Sequence, residues 1–285
     1  MGLLAQLLIL ATLPAVGVQY EHRLLYVPVA IDHHAPVTFL LDTGANVSAI
    51  DESLVEKFGL ATTGDTQIEG TAGVSNARKT KVGSFSMGAS SVKDLRPTVQ
   101  NLGGLLDPAG GQTVGILGND FLKHFVVEID YRAKTMTLHD SGVEEGLSIP
   151  FQMDNGIPRL KGTLNGSISA DFRIDTGASL FETEEVYLNI PTRVWKRLTE
   201  IDPDLKPSTY FKGSGVGGSV DLAVAQIKSL TLGSLEIRSP FVIVQPEQGY
   251  FARPDAAGFV SNNLMEKFSP VTIDYLSRRL YLTRR

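Results

Sequence analysis

Cysteine is absent from the 285-residue chain. That excludes a disulfide framework, a thiol nucleophile and a cysteine-ligated zinc site, while fitting any compartment. Dense runs of Lys and Arg are also missing, and the formal net charge is −5, so the chain offers no basic surface for nucleic acid. No Gly-x-Ser-x-Gly stretch occurs, which leaves the nucleophile elbow of a serine hydrolase without support.

Charge is missing from residues 1–20 altogether. Residues 3–13 are an apolar block broken only by Gln6 and Thr12, followed by Pro14 and the small residues Ala15, Val16 and Gly17. The pattern reads as the apolar and cleavage regions of a secretory signal, although no Lys or Arg precedes it. It is too short before Pro14 for a comfortable membrane span. The expectation is a signal peptide over residues 1–17, a mature chain starting near Val18, and a secreted or periplasmic protein with no stable span after removal. Anchoring by this same segment is the alternative.

What is present is an ordinary globular composition, 42% apolar and 20% charged, at a length suited to one large domain or two lobes. From Tyr20 onward short apolar runs alternate with Gly, Pro and Asn, which predicts a mainly β chain. Residues 24–31 and 36–41 form a hairpin, and residues 51–59 a short helix with an acidic start and a Gly stop. Residues 66–81 form a polar hairpin with the tip Gly70, Thr71, Ala72 and Gly73. A helical turn follows at residues 119–125, then a hairpin of residues 126–131 and 135–138.

The second half repeats this order. Asp42 maps to Asp175, Gly70 to Gly213, Gly88 to Gly233, Asn119 to Asn262 and Asp130 to Asp274. Extra residues around Pro191 to Leu198 read as an added helix with Pro at its first turn. Two lobes are expected, residues 20–140 and 147–285, with a polar linker at residues 139–146.

Each half carries the same tetrapeptide behind an apolar run: Asp42-Thr43-Gly44-Ala45 and Asp175-Thr176-Gly177-Ala178. An Asp at the end of a buried strand is costly unless its charge is shared, hydrogen-bonded or used. Two in one local frame suggest carboxyls facing one point, one protonated and one ionised, which is the arrangement that activates water. The motif resembles the active-site loop of aspartic proteases, specifically the retropepsin-like branch. Pepsins usually carry Ser or Thr at the positions of Ala45 and Ala178. Retroviral proteases hold one motif per subunit, whereas this chain holds two, so a monomer is expected.

The resemblance implies a pair of closed barrels related by a pseudo-two-fold axis, and an aspartic endopeptidase acting on a peptide or protein substrate. Asp42 and Asp175 would be catalytic. Thr43 and Thr176 would bond across the dyad, Gly44 and Gly177 would allow close backbone approach, and Ala45 and Ala178 would supply one donor fewer than in pepsins. Gly70, Thr71, Ala72 and Gly73 would form one flap, and Gly213, Ser214, Gly215 and Val216 the other. Ile116-Leu117-Gly118 resembles the apolar strand under the catalytic loop, whereas its counterpart Phe259-Val260-Ser261 has Ser in place of Gly.

Gly213, Gly215 and Gly218 also match the Gly-x-Gly-x-x-Gly dinucleotide fingerprint. Residues 219–232 alternate like a strand where that site needs a helix, so a nucleotide-dependent enzyme is argued down. His33 and His34 lack a third ligand at sensible spacing, and Asp154-Asn155-Gly156 lacks the remaining acids of a calcium loop. Both read as turns, and no metal or cofactor is expected. The competing reading is a catalytically silent peptide-binding module on the same fold.

Overall fold

The computed structural model describes residues 14–103, 113–142, 144–178 and 183–284. The apolar block of the expected signal, residues 3–13, lies outside the described residues.

The first lobe grows from a hairpin. Leu24–Ile31 is almost wholly buried and pairs antiparallel with Val37–Leu41. The turn between them uses Asp32 at positive φ, and the Asp32 carboxylate accepts from the Ser84 amide at 2.7 Å. His33 and His34 lie exposed on this turn, with His34 stacked on Phe58. Val37–Leu41 then takes Gly115–Leu117 as a parallel partner, so both strands end at the same edge. A parallel pair needs a long crossover. The crossover here contains Ala49–Asp51, the helix Glu52–Phe58 and the hairpin Thr62–Glu69 with Val74–Thr80. That helix begins where Asp51 accepts from the Ser53 amide and ends at left-handed Gly59, as its acidic start and Gly stop predict.

The second lobe repeats the plan. Ile157–Leu164 pairs with Ile168–Asp175, which takes Gly258–Ser261 as its parallel partner. Its hairpin is Thr209–Gly215 with Gly218–Gln226. The strand after Gly213, Gly215 and Gly218 confirms that no helix follows them. The added helix spans Thr192–Ile201, and Pro191 stands before its first turn, not in it. Pro191 is the last residue of strand Tyr187–Pro191, and its extended ψ of 149° places it as the cap.

Between the lobes, Val126–Asp130 pairs antiparallel with Val271–Asp274, Val126 opposite Asp274 and Ile129 opposite Val271. Each strand also pairs with its own hairpin mate, Thr135–His139 or Arg279–Leu282. The outer positions are taken by Val16–Gly17 on one side and Leu147–Asp154 on the other. Val18 and Phe151 then make matching amide bonds, to Lys134 O and Arg278 O, both at 2.9 Å. One buried cluster runs through both lobes, from Val18 to Leu282. Phe39 and Phe172, at equivalent repeat positions, are fully buried. Each such side chain contributes about 1.5–3 kcal/mol by leaving water.

The lobes are mainly β, as expected, but they are not the closed barrels that the resemblance implies. Among the described residues the sheets are open paths whose ends include Thr62–Glu69 and Thr209–Gly215. Each of these strands pairs only with its hairpin mate, which leaves the outer edge of each sheet open.

Candidate active site

The parallel strand pairs set the floor of the cleft. Asp42 follows Val37–Leu41, its amide bonded to Leu117 O at 3.0 Å, and Asp175 closes Ile168–Asp175. The two loops then exchange hydrogen bonds across the pseudo-dyad. The Thr43 amide donates to the Thr176 hydroxyl at 3.0 Å, and the Thr176 amide to the Thr43 hydroxyl at 3.1 Å. Each hydroxyl in turn donates at 2.7 Å into the opposite lobe, Thr43 to Ile174 O and Thr176 to Leu41 O. Both threonines are fully buried, so this four-bond lock is shielded from water and fixes the loops relative to one another.

Glycine is required next to each Asp for a close approach. A Cβ on Gly44 would stand 2.6 Å from the Asp175 Cγ, and one on Gly177 would stand 2.3 Å from the Asp42 Cγ. The carboxyl of each lobe therefore lies against the backbone of the other lobe's loop. Within its own loop, Asp42 Oδ1 accepts from Gly44 and Ala45 amides at 2.7 and 3.1 Å. Asp175 Oδ1 accepts from Gly177 and Ala178 amides at 3.0 and 2.9 Å. Burial raises both acids above the usual carboxylate range despite these donors, Asp42 to about 6 and Asp175 to about 8. Proximity to Asp42 adds to the rise at Asp175. Two half-buried carboxyls placed this way titrate as a pair, not as separate groups.

A second exchange supports the loops from below. Asn119 donates to Thr43 O at 2.7 Å and Ala45 O at 2.8 Å, and its own oxygen accepts from Tyr275 of the other lobe at 2.6 Å. Reciprocally, Asn262 donates to Thr176 O at 2.8 Å and Arg23 O at 2.7 Å, and accepts from Tyr131 at 2.8 Å. Burial raises both tyrosines, which keeps the hydroxyls protonated donors. The sequence presents Tyr131 and Tyr275 as hairpin positions. Their repeat match beside that of Asn119 and Asn262 is the signal that could have paired them.

The symmetry loosens at the second donor of Asn262, which goes to Arg23 O, and ends one residue further on. The Ser48 hydroxyl and amide both bond Asp120 Oδ1, at 2.5 and 2.9 Å, whereas Asn263 in the second lobe donates to Glu185 O. Gly118 has backbone of Ala45, Val47 and Ser48 within about 3.0 Å of where a Cβ would be. Ser261 is accommodated at the matching place, buried and bonded to Asn263.

The flap tips meet above the floor. The Ala72 amide donates to Val216 O at 3.1 Å, and Cβ positions on Gly70 and Gly215 would fall on Val216 and Thr71. The first tip is also fastened to the second lobe, where the Tyr250 amide donates to Gly70 O at 3.0 Å and Gln248 to Ala72 O at 2.6 Å. Gly73 stands against Gly217. Gly213 lies further back, packed against Leu222, and Ser214 is exposed. No group of three or more potential metal ligands occurs among the described residues.

Fold and site together define a bilobed β protein whose lobes each deliver one loop and one carboxyl to a common centre under paired hairpins. Residues 27–121, within the first lobe, match the family model described as aspartyl protease, which supports the likeness to the retropepsin-like aspartyl proteases. No curated protein matches the chain.

Proposed function

We propose that the protein is an aspartic endopeptidase whose single chain supplies both acids. The reciprocal approach of Gly44 to Asp175 and Gly177 to Asp42 carries this reading, because it brings two half-buried carboxyls to one point. In the proposed step a water lies between them. The ionised acid takes a proton from the water as its oxygen attacks the peptide carbonyl. The protonated acid donates to the carbonyl oxygen, giving a tetrahedral diol with no covalent enzyme intermediate. Collapse of the diol passes a proton to the leaving amine and restores one proton on the pair. Substrate lies extended beneath the flaps and adds main-chain bonds as a strand does. The amides of Gly44, Ala45, Gly177 and Ala178 hold the acids in place, so little reorganisation accompanies attack.

The test is digestion of a diverse peptide mixture read by mass spectrometry, with inhibition by a peptide bearing a tetrahedral hydroxyl at the scissile position. Internal cleavage blocked by that analogue supports the reading. Peptide binding without turnover would leave a silent module instead.

The same proposal takes the chain as a monomer exported by its N-terminal segment. No helix among the described residues is long and apolar enough to cross a membrane. Cleavage before Val18 would remove Val16 and Gly17, which pair with Met136 and Thr135. Deleting residues 1–17 is therefore expected to lower the melting temperature relative to deleting residues 1–13. N-terminal sequencing of the exported chain would place its start.

A further inference from the structure

Strand side chains alternate between faces, so the residue two places before each Asp shares its face of the sheet. In the first lobe that residue is Leu40, and in the second it is Arg173. Their surroundings correspond strand for strand. Leu40 lies between Tyr26 and Ile116, and Arg173 lies between Arg159 and Phe259. Leu40 belongs to a buried apolar wall with Leu24, Tyr26, Ala49, Leu102 and Ile116.

The opposite wall is charged. Arg173 is 8% exposed, donates to Asp154 Oδ2 at 3.0 Å, and lays its guanidinium 4.1 Å from the centre of the Tyr250 ring. Its Nε is buried with no acceptor. Arg159 is far better satisfied, with Nε and Nη2 on Asp171 and Nη1 on Asp154. Asp171 also faces Lys161 at 3.7 Å, so three cations share two carboxylates. Of these three cations it is Arg173 that carries a buried donor without an acceptor, its Nε. The Tyr250 amide holds the first flap tip, so its ring and Arg173 stand between the flap and the strand of Asp175.

We propose that Arg173 and Tyr250 form a specificity subsite that takes an acidic side chain of the peptide beside the scissile bond. The Leu40 wall then takes an apolar side chain on the other side of that bond. A guanidinium with a donor to spare in a water-poor wall pairs a carboxylate through charge-assisted hydrogen bonds, and the Tyr250 ring packed on its face holds it in place. This subsite rests on the reading of the cleft as a peptide hydrolase, and it explains why one half of a two-fold cleft carries buried charge.

The experiment has two arms. Peptides varied on both sides of the bond are offered to the wild-type chain for cleavage, and as ligands to the full chain carrying Asp42→Asn. The expected result is cleavage between an apolar residue and Asp or Glu, with at least tenfold tighter binding of a Glu peptide than of its Gln counterpart. Arg173→Leu, which repeats the Leu40 wall, should erase the Glu-over-Gln ratio. Arg173→Gln, which keeps a donor for Asp154, reads the same loss if the Leu variant fails to fold. Arg173→Lys should keep the sign of the preference.

Cleavage with no acidic preference overturns the subsite and leaves the hydrolase. Acid-selective binding with no cleavage overturns the hydrolase and leaves the subsite. An unchanged Glu-over-Gln ratio in Arg173→Gln, with only a moved pH–rate profile, would show Arg173 acting on Asp175 and overturn its role toward substrate. Neither binding nor cleavage overturns both.

Discussion

Thr43 and Thr176 occupy one position of the internal repeat, and Leu40 and Arg173 occupy another, yet the first pair matches in every bond and the second shares only its place in the sheet. The floor of the cleft is two-fold to within a few tenths of an ångström in its hydrogen bonds. The walls are apolar in one lobe and charged in the other. Two acids that share one proton must be held alike, because each needs the same support as the other's partner. A peptide has a direction and different side chains on either side of any bond, so nothing demands that the walls match. Symmetry is kept at the two acids and given up at the walls beside them.

The most severe way to break this comparison is to remove one acid. Asp42→Asn and Asp175→Asn should each lower kcat/KM by about 10²–10⁴-fold or more, and the double variant should be little worse than either. Asn keeps the shape, so the fold should survive, as near-unchanged circular dichroism would show. Near-native turnover in Asp175→Asn alone would mean that the second lobe is scaffold and the floor is two-fold in appearance only.

The threonine lock comes next. Thr43→Val strands the Thr176 amide and Ile174 O, and Thr176→Val strands the Thr43 amide and Leu41 O, all of them buried. Each unsatisfied group costs about 1–3 kcal/mol, so the two variants should lose similar stability in chemical denaturation. Unequal losses would show that one loop leans on the other without reciprocity.

The pH dependence of stability sharpens the point that the acids act as a pair. Burial raises Asp42 to about 6 and Asp175 to about 8, from 3.8. The folded state therefore holds protons that the unfolded chain releases, and stability must fall as pH rises through that window. The contribution is fully present below 3.8 and lost once the pair is ionised. Melting curves across this range should flatten in the double Asn variant. A residual slope of the same sign should persist, because burial also raises Asp120.

Much of this architecture is legible in the sequence because its signals are local. Asp51 and Gly59 bound a helix, glycines mark both flap tips, and the two Asp-Thr-Gly-Ala copies announce the floor. The charged wall is hidden because its parts read as something else. Arg173 stands within an apolar run, Asp154 begins an Asn-Gly turn, and only the registers of Leu147–Asp154 and Ile168–Asp175 against Ile157–Leu164 bring them together. Tyr250 reaches Arg173 from a short 3₁₀ turn, Gly249–Ala252, for which the sequence gives no pattern. The Thr192–Ile201 helix was legible, but Pro191 was misplaced by one residue because a strand end and a first helical turn share its φ of −65°.

The finest test uses the tyrosines, where the floor begins to lose its symmetry. Tyr275→Phe removes the donor to Asn119, and Tyr131→Phe the donor to Asn262, so each should cost about 1 kcal/mol. Equal stability losses would still hide a difference in function. Asn119 holds two carbonyls of the loop that carries Asp42, Thr43 O and Ala45 O. Asn262 divides its two donors between Thr176 O and Arg23 O, the latter outside the loop. Loosening Asn119 therefore frees more of an acid's own loop than loosening Asn262 does. At matched stability, kcat should fall several-fold further in Tyr275→Phe than in Tyr131→Phe, with KM moving little in either. Equal kcat values would mean that the threonine lock alone positions the acids and that both Asn–Tyr pairs serve only to join the lobes.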